Sequence, residues 1–203
     1  MTLRVLIIFA HPTLEASRIN TALFDAIKDY PNVVWHDLYN TYPQQMIDVA
    51  REQGLVEACD VLILQHPLYW YSCPALMKNW LDSVLTLGWA YGEHGTALRN
   101  KAFIQVISSG GSTQVYKRGG YNNFMLAELL RPFEQTADLC EMTYHQPFLT
   151  QDAGNLNADH IQAQALQYSQ WLNRIIEGLL PPVVNTHHAH QADFLSFSPQ
   201  ISN

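Results

Sequence analysis

The chain has 203 residues, 48% of them hydrophobic, and a formal net charge of −7. That length fits one domain with a sizeable core, and the acidic balance disfavours nucleic acid or an anionic bilayer as a partner, since both need clustered Lys and Arg. The longest apolar runs are about seven residues, far short of the ~20 that cross a membrane, no signal-peptide pattern opens the chain, and Cys59, Cys73 and Cys140 are widely spaced and odd in number, which fits a reduced cytoplasmic protein.

"RVLIIFA" (4–10) is a continuous apolar run, as in a strand covered on both faces. From Ser17, the residues Ile19, Ala22, Leu23, Ala26, Ile27 and Tyr30 share one helix face. Pro31-Asn32 breaks the chain, and "VVWHDL" (33–38) reads as a second strand. A helix over 48–59 leads into the strand "VLILQ" (61–65). Pro74 suits the first turn of a helix that runs to Leu87. "AFIQVISS" (102–109) is a further strand, ending in Gly110-Gly111. A helix over 122–137, a strand over 142–149 and a helix over 159–177 complete the series.

Strands that alternate with helices imply a parallel sheet covered on both faces. The expected fold is a flavodoxin-like three-layer α/β sandwich, with a five-stranded parallel sheet of order 2-1-3-4-5 over residues 1–180. The tail, 181–203, is poor in charge, carries "HHAH" (187–190) and "FLSFSP" (194–199), and is a candidate for packing on a partner subunit. The histidine cluster has no carboxylate or Cys partner, so no metal site is expected.

In such sheets ligands bind beyond the carboxyl ends of the strands, where the strand order reverses. That rule selects three loops. The first, "HPTLEASRIN" (11–20), opens a helix whose free N–H groups suit a phosphate, with His11, Ser17, Arg18 and Asn20 close by. Ser17 is equally an ordinary N-cap residue. The second, "QHPLYWYSCPALMKNWLD" (65–82), sets Tyr69, Trp70 and Tyr71 at a strand end, either as the wall of a flat heterocycle or as core and interface rings. The third, "SSGGSTQVY" (108–116), lets backbone approach a flat ligand closely or simply turns. Convergence of all three on one crevice fits FMN.

"AHP" with "S-x-x-N", the long aromatic motif, "GWAYG" (88–92) and "SSGG" together resemble the flavodoxin-like NAD(P)H:quinone oxidoreductase family over residues 3–178. Within it they are most similar to the bacterial KefF and KefG ancillary proteins of the glutathione-regulated potassium efflux system. The resemblance implies a homodimer with NADPH or NADH as hydride donor and a quinone or similar electrophile as acceptor. It places the flavin phosphate at His11 and the Ser17, Arg18, Ile19, Asn20 turn. It lays the ring on Leu68, Tyr69, Trp70, Tyr71 and on Ser108, Ser109, Gly110, Gly111. Trp89 and Tyr91 would wall the substrate pocket or come from the partner subunit. Tyr116 matches the family's catalytic Tyr, while Asn122 stands where the mammalian-type enzymes have a His. FAD in place of FMN is left open, as is NADH against NADPH; His66 reads as structural. The resemblance also implies an alternative of another class, a regulatory subunit held at the inner membrane by a potassium efflux antiporter. A flavodoxin-type electron carrier is a third reading, which the aromatic loops count against.

Overall fold

The computed structural model describes residues 2–184. One parallel sheet runs in the order β2-β1-β3-β4-β5, from β1 (Val5–Phe9), β2 (Val33–Asp37), β3 (Val61–Pro67), β4 (Ala102–Ser108) and β5 (Thr143–Tyr144). The order turns back on itself between β1 and β3, which pair from Val5↔Val61 to Phe9↔Gln65.

The alternation of side chains splits these apolar strands between two cores. Leu6, Ile8, Leu62, Leu64, Phe103 and Ile107 point to one face. There they meet α2 (Leu38–Thr41), α3 (Val49–Glu57), α4 (Ala75–Val84), α5 (Leu126–Leu129) and α6 (Arg131–Leu139). Val5, Ile7, Val61, Ile63, Ile104 and Val106 point to the other face, against α1 (Arg18–Asp25) and α7 (Ala158–Ile176). Most helices start on the residue types that cap free N–H groups: Ser17, Asp37, Asp48 and Asn157 each accept a backbone N–H. One charged side chain enters the first core fully buried. Glu52 of α3 accepts from Tyr42 Oη at 2.5 Å, His36 Nε2 at 2.8 Å and Trp80 Nε1 at 2.8 Å, tying β2, α3 and α4 together.

Three expectations are corrected. The last strand is two pieces: β5 pairs with Ala102–Phe103, and β6 (Phe148–Thr150) pairs with Val106–Ser108. Between them Pro147 has no N–H for a ladder, and the chain turns to the start of the tail instead. His145 Nδ1 lies 2.6 Å from the Pro181 carbonyl, Gln146 N donates to Pro182 O at 2.9 Å, and Val184 N donates to Tyr144 O at 2.9 Å. Residues 185–203, with the histidine cluster and the proposed packing of the tail on a partner, lie outside the described residues. The helix placed over 122–137 begins only at Leu126, because Asn123 adopts a left-handed φ of 61° and Glu128 caps the Met125 N–H at 2.7 Å. Leu38, placed at the end of a strand, opens α2 because Asp37 caps Asn40 N–H at 3.1 Å.

Candidate functional site

Each of the three loops leaves the sheet through one further backbone bond to its neighbour: Ala10 N to Gln65 O at 3.0 Å, Leu68 N to Ser108 O at 2.8 Å, and Ser109 N to Thr150 O at 2.9 Å. They therefore emerge side by side at the carboxyl edge, and side chains link them in pairs. The His11 and Tyr69 rings meet edge to face with centroids 6.2 Å apart. Tyr71 Oη donates to Asn122 Oδ1 at 3.3 Å. Asn20 Nδ2 donates to Ser108 Oγ at 3.1 Å beneath them.

In the first loop, a short 3-10 turn (Leu14–Ala16) carries the chain to Ser17. Ser17 is the N-cap of α1, accepting from Asn20 N at 3.4 Å and from Asn20 Nδ2 at 2.9 Å. Arg18 and Ile19 are the first helical residues and their N–H groups have no partner within the helix. The Arg18 side chain is exposed, whereas that of Ile19 packs in the core at 3% exposure, so a ligand at the helix start would meet Ile19 only through its backbone. Asn20 is 2% exposed with its amide spent on the two serines; it braces the loop from behind. His11 Nδ1 accepts from Thr13 N at 3.2 Å, which leaves Nε2 as the proton-bearing donor. Burial lowers its pKa, opposed by the nearby Asp37 and Glu15 carboxylates.

The second loop answers why rings stand at a strand end. Ser72 N donates to Tyr69 O at 2.9 Å, closing a four-residue turn. Its central residues, Trp70 and Tyr71, have φ of 49° and 61°. Positive φ at both central positions is the signature of a type I′ turn, which normally takes Asn-Gly. Here two bulky side chains hold that conformation, at roughly 1–2 kcal/mol each. Trp70 is 93% exposed and gains almost nothing from the chain's own core. Strain held at such residues is characteristic of ligand sites. Leu68 is half-buried and packs on the core edge.

The third loop rests on the segment after β6. Asp152 N donates to Gly111 O at 3.1 Å, and Ala153 N donates to Ser109 O at 2.9 Å. Ser109 N–H is engaged by Thr150, so the backbone donors this loop can offer a ligand are the N–H groups of Gly110 and Gly111. Ser109 Oγ donates to Gly111 O at 2.9 Å. A Cβ on Gly110 would meet nothing within 4 Å, so its backbone faces open space. A Cβ on Gly111 would stand 2.5 Å from Val115 Cγ2 and 2.8 Å from Tyr116 Cε2, so the glycine lets Tyr116 fold back over the loop. Burial pushes the Tyr116 phenol above its ordinary pKa, with Ser109 bonding as the opposing influence.

Trp89 and Tyr91 are not brought to this crevice by their own chain. Trp89 Nε1 donates to Glu57 Oε1 at 2.7 Å, at the end of α3 beside the amino ends of the strands. Tyr91 lines a groove of ≈ 340 Å³ between α4 and α6, with Cys73, Leu81 and Phe133. His66 is fully buried. Gln105 Nε2, which can only donate, lies 3.3 Å from His66 Nε2, so Nδ1 carries the proton and donates to Pro67 O at 2.9 Å. Burial drives its pKa down to about 4. The sequence reading passed over Gln65 and Tyr168, both fully buried, which lead into the crevice from behind: Tyr168 Oη donates to Gln65 Oε1 at 2.8 Å and Gln65 Nε2 to Asn20 Oδ1 at 3.5 Å. The signal was a lone Gln closing the apolar run "VLILQ". Among the described residues no group of three or more His, Cys, Asp or Glu could hold a metal ion.

Sheet order and crevice together define a flavodoxin-like protein with a candidate ligand site at the switch point between β1 and β3. The chain belongs to the Flavodoxin_2 family, described by its flavodoxin-like fold, whose model matches residues 3–172. It is 40% identical to a glutathione-regulated potassium-efflux system ancillary protein, KefG, of Yersinia enterocolitica, over 83% of this chain and 92% of that one. Among solved structures it is similar to the general stress protein 14 of Treponema denticola in complex with FMN, at 39% identity and TM-score 0.80, covering 85% of this chain and 99% of that one. It is similar to an NADPH-quinone reductase of P. pentosaceus at 36% identity and TM-score 0.76, covering 83% and 97%. A structure named as a thermophilic tryptophan halogenase from Streptomycin violaceusniger matches at 44% identity and TM-score 0.79, covering 81% and 96%. The three structures differ in their names and agree in the fold.

Proposed function

We propose that the chain is a flavin-dependent NAD(P)H:quinone oxidoreductase. The observation that carries the reading is the pairwise closure of the three loops, His11 on Tyr69, Tyr71 on Asn122 and Asn20 on Ser108, around one crevice at the switch point. The FMN complex of the general stress protein 14 and the NADPH-quinone reductase, both more than a third identical to this chain, support it.

The residues fit FMN. The free N–H groups of Arg18 and Ile19, the Ser17 hydroxyl and His11 Nε2 offer donors to a phosphate at the positive end of α1. The open backbone of Gly110 and the exposed rings of Tyr69, Trp70 and Tyr71 offer flat apolar surface to the ring system. Bound there, FMN supplies the two-electron chemistry between NAD(P)H and a quinone. The Gly110 and Gly111 N–H groups would meet negative charge developing at the ring edge, as oxyanion donors do. Tyr116, a phenol protonated at neutral pH whose pKa burial raises further, would donate from Oη to the acceptor oxygen. Tyr71 and Asn122, already bonded to each other, close the acceptor side.

We assign Trp89 and Tyr91 to the crevice of a second subunit in a homodimer, since in their own chain they stand elsewhere. The KefG relative supports a second reading, an ancillary subunit that binds a potassium efflux antiporter from the cytoplasmic side of the inner membrane. No helix among the described residues is long and apolar enough to cross a membrane, so that location would come through the partner. The test is the absorption spectrum of the purified protein before and after NADPH, with a quinone added. A colourless protein that added FMN does not activate sinks the enzyme reading. Gel filtration tests the dimer, and co-purification with an antiporter tests the partner.

A further inference from the structure

Two tyrosine–glutamine chains lie against the sheet, one on each face, and both lead toward the carboxyl ends of its strands. In the first core Tyr144 Oη donates to Gln105 Oε1 at 2.7 Å, and Gln105 leads to His66 and the Pro67 carbonyl. In the second, Tyr168 of α7 leads through Gln65 to Asn20. Apolar side chains of like size would fill these places without burying hydrogen-bonding groups, often at no loss of stability. Their retention in an otherwise apolar core calls for another reason.

The second chain has a direction. Tyr168 is fully buried, and among the described residues its only hydroxyl acceptor is Gln65 Oε1. That fixes the oxygen end of the Gln65 amide toward α7 and sends its NH₂ end to Asn20 Oδ1. Asn20 must then present its own NH₂ to the serines, and it does, at 2.9 Å to Ser17 Oγ and 3.1 Å to Ser108 Oγ. A hydroxyl oxygen accepts two hydrogen bonds and donates one. Ser17 Oγ already accepts two, from Asn20 N and Nδ2. Neither serine donates to a protein acceptor among the described residues, so both hydroxyl hydrogens are kept for something else. If Asn20 were turned the other way, its oxygen would consume them.

We propose that Gln65 and Tyr168 are positioning residues: through Asn20 they keep the Ser17 and Ser108 hydroxyls as donors toward the flavin nucleotide. This rests on the FMN reading above. Neither residue touches the ligand; Tyr168 acts from a helix 103 positions from Gln65 in the chain.

The test is a double-mutant cycle on the FMN dissociation constant of the full chain, read from quenching of flavin fluorescence, with thermal midpoints recorded alongside. Tyr168→Phe should weaken FMN about tenfold in the natural background, the effect of one lost hydrogen bond to a charged or polar ligand atom. In a Ser17→Ala, Ser108→Ala background it should weaken FMN less than about twofold, because there are no hydroxyls left to orient. A general structural role would give the same loss in both backgrounds, and that result overturns the proposal, as does no loss in the natural one. Gln65→Met keeps the length of the side chain and removes both ends of the amide. It must repeat the pattern, and it stands in if Tyr168→Phe does not fold. Failure of the unaltered chain to bind FMN would instead refute the FMN reading, before any variant is made.

Discussion

Replacing Trp70 by Asn should make the protein more stable and a poorer enzyme. Trp70 sits at φ 49° in the first central position of a type I′ turn, where Asn is preferred. The left-handed backbone costs a bulky residue roughly 1–2 kcal/mol, and Asn, which visits this region readily, recovers most of it. Against that stands the burial lost. Trp70 is 93% exposed, so the covered remnant is on the order of 20 Å² of a large ring, worth about 0.5 kcal/mol. The balance is a gain of about 0.5–1 kcal/mol, or a thermal midpoint raised by about 2 °C in a chain of this length. Scanning calorimetry of the flavin-free protein measures it. Quinone turnover of the flavin-loaded protein should fall in the same variant, since Asn offers no ring. A midpoint that stays put or drops would refute the argument that strain is stored at this ring for the sake of the site.

Three further outcomes follow from the geometry. His66 is neutral in the fold with a pKa near 4 against the ordinary 6.5. Only the unfolded chain takes up its proton between those values, so its contribution is complete above pH 6.5 and fades as the pH falls toward 4. Urea midpoints should register about 3 kcal/mol of loss across that window, and His66→Asn should flatten the slope. Gly111→Ala sets a methyl 2.8 Å from the Tyr116 ring edge. Displacement of that ring should cut quinone turnover at least about tenfold, more than a neutral loop change would, in steady-state kinetics. Glu52 is raised by burial, yet the bonds from His36, Tyr42 and Trp80 outweigh this and hold its carboxyl below the ordinary value. Its stabilisation is present above pH 4.5 and is lost as the pH drops through the lowered value. Glu52→Gln turns an NH₂ toward one of those donors and should cost at least about 2 kcal/mol by urea unfolding at pH 7.

The strands and their order were legible because a fully buried parallel strand must be apolar throughout, as "VLIIF" and "VLIL" are. The three loops were legible from topology, since the switch point follows from strand order alone. What escaped depends on single tertiary bonds. Asp37 beginning a helix, Asn123 taking a left-handed φ and His145 turning to the tail leave no periodic trace. Asn20 looked like a ligand contact because Asn near a helix start has free amide groups; its 2% exposure shows them committed inside. Trp89 and Tyr91 look like residues of the pocket or of a partner's pocket in the sequence, and no spacing rule reveals that the chain bonds Trp89 to Glu57 at the end of α3 and turns Tyr91 into the groove between α4 and α6. The left-handed pair at Trp70-Tyr71 was invisible because the pattern for such a turn is Asn-Gly, and two aromatic rings in that role contradict local propensity.

The broken fifth strand position also bears on how molecules of this kind avoid sticking to one another. A long straight border strand offers a row of unpaired N–H and C=O groups on which another chain can crystallise into a growing ribbon. Here that border consists of a two-residue and a three-residue strand, interrupted at Pro147. It is then overlaid by Pro181–Val184, whose two prolines carry no N–H to offer. The interruption that defeats strand periodicity in the sequence is also a guard along that flank, leaving a stranger's strand too little matching backbone to take hold.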